Sequence, residues 1–96
     1  MSMEILITER AKREIRSTSQ WWREHGAGPA FHTELERVLA TLQEMPHLGQ
    51  PCARCPPGTR RVLLSRTKNH LYYRIEGNCI EVLSVWHTSR GQGPAL

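Results

Sequence analysis

At 96 residues, with 39% hydrophobic and 23% charged side chains, the chain has the make-up of one small globular domain, residues 1–96, and is too short for two cores. A formal charge of +4 points to an acidic partner, nucleic acid or protein, without choosing between them. No apolar run reaches the ~20 residues that span a bilayer, and the N-terminus lacks a signal-peptide core, so a soluble cytoplasmic protein is the expectation.

In chain order, Glu4 to Ile7 reads as a first strand, EILI. Thr8 follows as a helix N-cap, with Glu9 in the first turn where a carboxylate favours the helix dipole. That helix runs to about His25, and the spacing of Ala11, Ile15, Thr18 and Trp22 puts them on one inward stripe. Trp21 lies about 100° round the helix from Trp22, at the flank of the core or exposed. Gly26-Ala27-Gly28 breaks the helix and Pro29 suits the start of a second one, which runs to about Glu44. Its stripe is Phe31, Leu35, Val38, Leu39 and Leu42, with Glu34, Glu36, Arg37 and Gln43 assigned elsewhere, and the two helices form an antiparallel hairpin.

From Pro46 to Gly58 the chain holds four of its six prolines and almost no periodicity, which predicts a loop. Cys52 and Cys55 form a C-x2-C there. With no second pair, and an odd total of three cysteines, the expectation is two reduced thiols in a loop, with no metal and no cofactor.

Arg60 to Trp86 is dense in β-branched and aromatic residues and reads as three antiparallel strands. A two-residue Gly77-Asn78 turn sets the last hairpin, pairing Glu76 with Cys79, Ile75 with Ile80, Arg74 with Glu81 and Tyr73 with Val82. Strict alternation then places Val62, Leu64, Leu71, Tyr73, Ile75, Ile80, Val82 and Trp86 on the core face. Arg61, Leu63, His70, Tyr72, Arg74, Glu81, Leu83, Val85 and His87 fall on the other. Arg74 opposite Glu81 reads as a cross-strand ion pair, and the C-terminal GQGPAL as a flexible tail. The fold class is therefore α+β: an N-terminal strand, a helical hairpin, then a three-stranded antiparallel meander forming one sheet.

This order, with its residues, resembles the RelE/ParE superfamily of toxins from type II toxin–antitoxin systems. The matching pieces are the opening strand with T-E-R-A-K-R-E-I, then W-W-R-E-H, then F-H-T-E-L-E-R-V-L-A-T-L-Q-E-M-P-H-L-G. They continue as P-G-T-R-R-V-L-L, H-L-Y-Y-R-I, I-E-V-L-S-V-W-H and T-S-R, and together they cover nearly the whole chain. The resemblance implies a growth-arresting toxin held inactive in a hetero-oligomer with a cognate antitoxin.

Two activities exist in that superfamily. RelE-like members are ribosome-dependent mRNA endonucleases; ParE-like members bind DNA gyrase and block replication. RNA scission by 2′-oxygen attack needs proton acceptors, proton donors and cations around the phosphorane. The resemblance offers Arg61, His70 and His87 for those roles. It also shows departures: His70 stands where the family has an arginine, Thr88 to Leu96 contains no tyrosine, and Lys68 is the only lysine in the second half. The ParE-like pattern is met by Gly58-Thr59-Arg60, Tyr72-Tyr73-Arg74, and His87 with Arg90. The leading expectation is a ParE-like gyrase inhibitor whose target surface uses Arg60, Arg61, Arg74, His87 and Arg90, with Arg61 and His87 displayed together. The alternatives are the ribosome-dependent endonuclease and a non-toxic antitoxin-binding module.

Overall fold

A computed structural model describes residues 2–96 of the chain. It contains, in order, strand β1 (Glu4–Ile7), helix α1 (Glu9–Glu24), helix α2 (Ala30–Glu44), and strands β2 (Gln50–Pro51), β3 (Thr59–Leu64), β4 (Asn69–Glu76) and β5 (Cys79–His87). The five strands form one sheet in the order β1-β5-β4-β3-β2, in which β1 runs parallel to β5 and the other neighbours are antiparallel. The fold class is the α+β arrangement expected, enlarged by the two-residue β2.

Thr8 caps α1 as expected, its hydroxyl accepting the Ala11 N–H at 3.1 Å. Ala11 is fully buried, while Ile15 and Trp22 pack against the core from its margin. From α2 come Phe31, Leu35 and Leu42, and from the sheet Leu64, Leu71, Tyr73, Ile80, Val82 and Val85. Each such side chain taken fully out of water contributes about 1.5–3 kcal/mol, so the helices are held to one face of the sheet by burial.

Glu34 departs from the expectation. It lies three residues after Phe31 and four before Val38, so helical spacing puts it inside the stripe that its charge argued against. It is buried, and its carboxylate accepts from Arg66 N at 2.7 Å, Thr67 N at 3.0 Å and the Thr67 hydroxyl at 2.7 Å. A buried carboxylate is tolerated where donors replace its water, and here they are the turn between β3 and β4.

The 46–58 segment is strapped down. Tyr73 donates its hydroxyl to the Pro46 carbonyl at 2.7 Å and accepts the Gly49 N–H at 2.9 Å. A Cβ on Gly49 would stand 2.6 Å from that hydroxyl, so the close approach requires glycine. Arg60 adds bonds to the Gly49 carbonyl at 2.6 Å and the His47 carbonyl at 3.2 Å. Cys52 and Cys55, expected as free thiols, are disulfide-bonded. A turn with Cys55 N–H on the Cys52 carbonyl brings their Cα atoms to 5.4 Å, inside the range a disulfide bridges. Among the described residues, no group of three His, Cys, Asp or Glu is close enough to hold a metal ion.

The β4–β5 hairpin has the expected register from Glu76↔Cys79 through Tyr73↔Val82. The next pair, however, is Tyr72↔Ser84, so Leu83 is the extra residue of a β-bulge. A bulge reverses the alternation beyond it. Val85 therefore pairs with Leu71 and is buried in the core, while Trp86 pairs with His70 and leaves it. This corrects the assignment of Trp86 to the core face and of Val85 and His87 to the opposite one.

Candidate functional site

The bulge separates the residues that were expected to share a surface. Arg61 pairs with Tyr72, and Tyr72 alternates with His70 on the face turned away from the helices. His87 pairs with Asn69, one position out of step, and lies on the helix side with Leu71 and Val85. Arg61 and His87 therefore occupy opposite faces, and the single surface built on both does not exist. Two clefts take its place.

The cleft on the outer face, about 470 Å³, is lined by Arg61, His70, Tyr72 and Trp86 from the sheet, by Arg54 on the disulfide-closed loop, and by the Gly91–Pro94 segment. The tail is docked rather than loose: Gly93 lies so close to Tyr72 that a Cβ would meet the tyrosine hydroxyl at 2.8 Å, and Arg10 binds the Ala95 carbonyl at 2.6 Å. This cover leaves Tyr72 only 2% exposed. His70 stacks edge-on against Tyr72. Burial, and then the charge of Arg61, hold the His70 pKa below the usual histidine value, so the ring is neutral at pH 7.

The cleft on the helix side, about 660 Å³, runs between the second half of α1 and the end of β5. His87 and Arg90 belong here, with Arg13, Trp21, Arg66 and Lys68. Ser89 donates its N–H to His87 Nδ1 at 3.1 Å, which places the proton of the neutral ring on Nε2. Arg90 stacks on Trp86, its guanidinium carbon 3.8 Å from the ring centre, and donates its N–H to the His87 carbonyl at 3.0 Å.

The remaining expected site residues fall in neither cleft. Arg60 is committed to the loop carbonyls above. Arg74 forms the expected cross-strand pair, with Nε 2.6 Å from Glu81 and 3.7 Å from Glu76. The bond that Arg74 donates to Glu81, and then the charge of that carboxylate, raise the Arg74 pKa further still. No local sequence pattern marks Arg54, brought to the outer cleft by the loop, or Arg13, Arg66 and Lys68, brought together only by the tertiary fold. Nor does one mark Glu14. It accepts the Ser84 hydroxyl at 2.8 Å and the Val85 N–H at 3.1 Å, capping a stretch of β5 that β1 does not reach.

A two-helix hairpin on a five-stranded sheet is a fold shared with solved toxin structures. The toxin of the chromosomal ParDE system of P. aeruginosa superposes with a TM-score of 0.73 at 17% identity, over 90% of this chain and 96% of that one. The intact E. coli RelBE toxin–antitoxin complex gives 0.70 at 21% identity, over 93% and 100%, and the YoeB dimer from Staphylococcus aureus 0.68 at 12%, over 91% and 98%. At these identities the likeness is one of fold, and it spans both toxin types. No curated protein sequence matches. The family model described as ParE toxin of the type II toxin–antitoxin system parDE matches residues 5–91. The chain thus belongs to the ParE toxin family of type II toxin–antitoxin systems.

Proposed function

We propose that the chain is a ParE-like toxin that inhibits DNA gyrase, arrests replication and growth in the cytoplasm, and is neutralised in a hetero-oligomer with its antitoxin. The observation that carries this over RNA scission is the separation of Arg61 and His70 from His87 by the thickness of the sheet. A proton donor and acceptor for one phosphodiester must both come within hydrogen-bond reach of it, and His87 lines the cleft on the face opposite the one that Arg61 lines. The family match to ParE toxins supports the same reading. A gyrase inhibitor breaks no bond itself and needs a binding surface only, for which the cations of either cleft suffice.

One observation favours a ribosome-dependent endonuclease as second reading. His70 is neutral at pH 7, lies beside Arg61 in a cleft, and is placed as a base beside a phosphate-binding cation. Induction of the chain in cells distinguishes the two. Gyrase inhibition gives an SOS response, filamentation and gyrase-linked DNA breaks with mRNA intact. Cleavage of translated mRNA that His70→Ala abolishes would establish the nuclease, and free protein without effect on growth would leave an antitoxin-binding module.

A further inference from the structure

One wall of the outer cleft is made by the loop that Cys52 and Cys55 close. Both cysteines line the cleft, Arg54 stands between them in the chain, Arg61 joins it from β3, and no carboxylate is among the lining residues. The two cysteines are half-buried, and Ala53, Arg54, Pro56 and Pro57 around them are exposed, so a small thiol can reach the pair. Neighbouring cations favour the thiolate, the form that attacks and leaves in thiol–disulfide exchange.

The frame of the loop does not depend on the ring. The two cysteines have a sequence separation of 3, and so short a ring constrains an unfolded chain least. Other bonds hold the chain on both sides of it. β2 pairs with β3 at Gln50 and Pro51, Cys52 donates its N–H to the Thr59 carbonyl at 2.9 Å, and Thr59 donates to the Pro56 carbonyl at 3.1 Å. Tyr73 and Arg60 fix Gly49 just before. Reduction therefore frees the tip around Arg54 and leaves the strap in place. A lone turn bond, Cys55 N–H on the Cys52 carbonyl at 3.2 Å, remains across the tip; exposed to water it opens readily, yet its turn returns the thiols to reach of one another. Arg54 has no ion-pair partner among the described residues, so the ring, and not a countercharge, keeps it on the cleft wall.

We propose that Cys52 and Cys55 form a reversible thiol–disulfide switch that exchanges with an anionic low-molecular-weight thiol of the glutathione type and sets whether Arg54 is held on the wall of the outer cleft. Closed, the ring fixes Arg54 in the same cleft as Arg61, His70 and Tyr72; open, it releases Arg54 and loosens that wall. Opening begins when a thiolate of the reductant attacks one sulfur of the pair. The S–S bond breaks, and the other sulfur leaves as a thiolate that takes up a proton. A second reductant thiol then displaces the first cysteine from the mixed disulfide. Two electrons and two protons pass to Cys52 and Cys55, and two reductant thiols depart as one disulfide; the same steps run backwards close the ring. The carboxylates of such a thiol suit a cleft lined by cations alone. The choice of reductant rests on the cytoplasmic location proposed above, where a disulfide that forms is characteristically redox-sensing rather than structural.

The test equilibrates the purified full chain with glutathione buffers of graded ratio, blocks free thiols with iodoacetamide and weighs the product. The closed chain should take one label, at Cys79, and the open chain one on each of its 3 cysteines. The midpoint should fall between the cytosolic and the secretory-compartment ratio and be the same from either direction, and Cys79→Ser should remove the constant label without moving it. Across the transition, the His70 ring and Trp86 indole signals should shift in NMR spectra while those of the His87 ring stay. Cys52→Ser with Cys55→Ser should show the open-form signals at every ratio. A pair still closed at the cytosolic ratio would make the disulfide structural, and a pair still open at the secretory ratio would leave two permanent thiols. His70 and Trp86 signals unmoved by reduction would uncouple the ring from the cleft. Each of these overturns the switch. None uses growth arrest as its readout, so failure of the switch and failure of the toxin reading are told apart.

Discussion

Arg61 on β3 and His87 on β5 share no hydrogen-bond partner among the described residues and open into different clefts. Groups that act on one bound atom are strongly non-additive when removed, whereas independent ones combine freely. The effects of Arg61→Ala and His87→Ala on growth arrest should therefore multiply, with the double variant within about twofold of the product, since independent sites add to within ~0.5 kcal/mol. The measurement is the growth rate of induced cells at matched protein levels. A double variant no weaker than the worse single one would reunite the two residues in one functional unit and undercut the argument against RNA scission.

Glu34 is the tie between α2 and the β3–β4 turn that delivers Arg66 and Lys68 to the helix-side cleft. Glu34→Ala strands two backbone N–H groups and the Thr67 hydroxyl, and unmatched buried donors cost about 1–3 kcal/mol each before relaxation. A loss of about 3 kcal/mol is expected for the alanine variant and about 1 kcal/mol for Glu34→Gln, which keeps one acceptor oxygen. Urea titration checks both, through a lowered midpoint at unchanged slope. A neutral Glu34→Ala would mean that the turn holds without its anchor.

The depressed pKa of His70 makes stability depend on pH with a defined sign. The folded chain binds fewer protons at this ring than the unfolded chain does, so stability rises with pH between the lowered folded value and the unfolded value of 6.5. The contribution is fully present above 6.5 and is lost as pH falls from there through the folded value. His70→Gln should flatten this part of the profile, seen as a smaller drop in thermal midpoint between pH 7 and pH 5. Arg61→Gln should flatten it partly, because burial is the larger cause and Arg61 the second. An unchanged slope in both variants would mean that the ring is better solvated than its place in the cleft implies.

Local rules were enough for most of the frame. The Thr8 cap, the EILI strand, both helices and the Gly77-Asn78 register depend on neighbours in sequence, where capping, periodicity and turn chemistry act. β2 was hidden because a proline in a loop-like stretch argues against a strand, although an edge strand tolerates one. Charge argues Glu34 out of the stripe that spacing puts it in, and its three donors lie more than thirty residues away. The site was misassembled for a single reason. Alternation was carried unbroken along β5, and nothing local in Val82-Leu83-Ser84 signals the bulge. Its companions, the Glu14 carboxylate at Val85 and the contact with Leu71, come from elsewhere in the chain.

That one residue admits a direct test. Leu83 is partly exposed and opposes no residue of β4, so Leu83→Ala removes little packing and should cost about 1 kcal/mol or less. Deleting Leu83 is different in kind. With Leu83 gone, Val82 and Ser84 become consecutive and meet Tyr73 and Tyr72 in unbroken register, so Val85 stays in the core, Trp86 stays outside it and His87 keeps the helix side. What the deletion removes is the bend and added twist of the bulge, beside which Glu14 takes the Ser84 hydroxyl and the Val85 N–H. The deletion should therefore keep the fold and melt within about 8 °C of Leu83→Ala, with Trp86 fluorescence as in the unmutated chain. If the deletion variant instead lost its last strand, as read by circular dichroism, Leu83 would not be the surplus residue of the pairing, and the division of Arg61 from His87 would lose its structural cause.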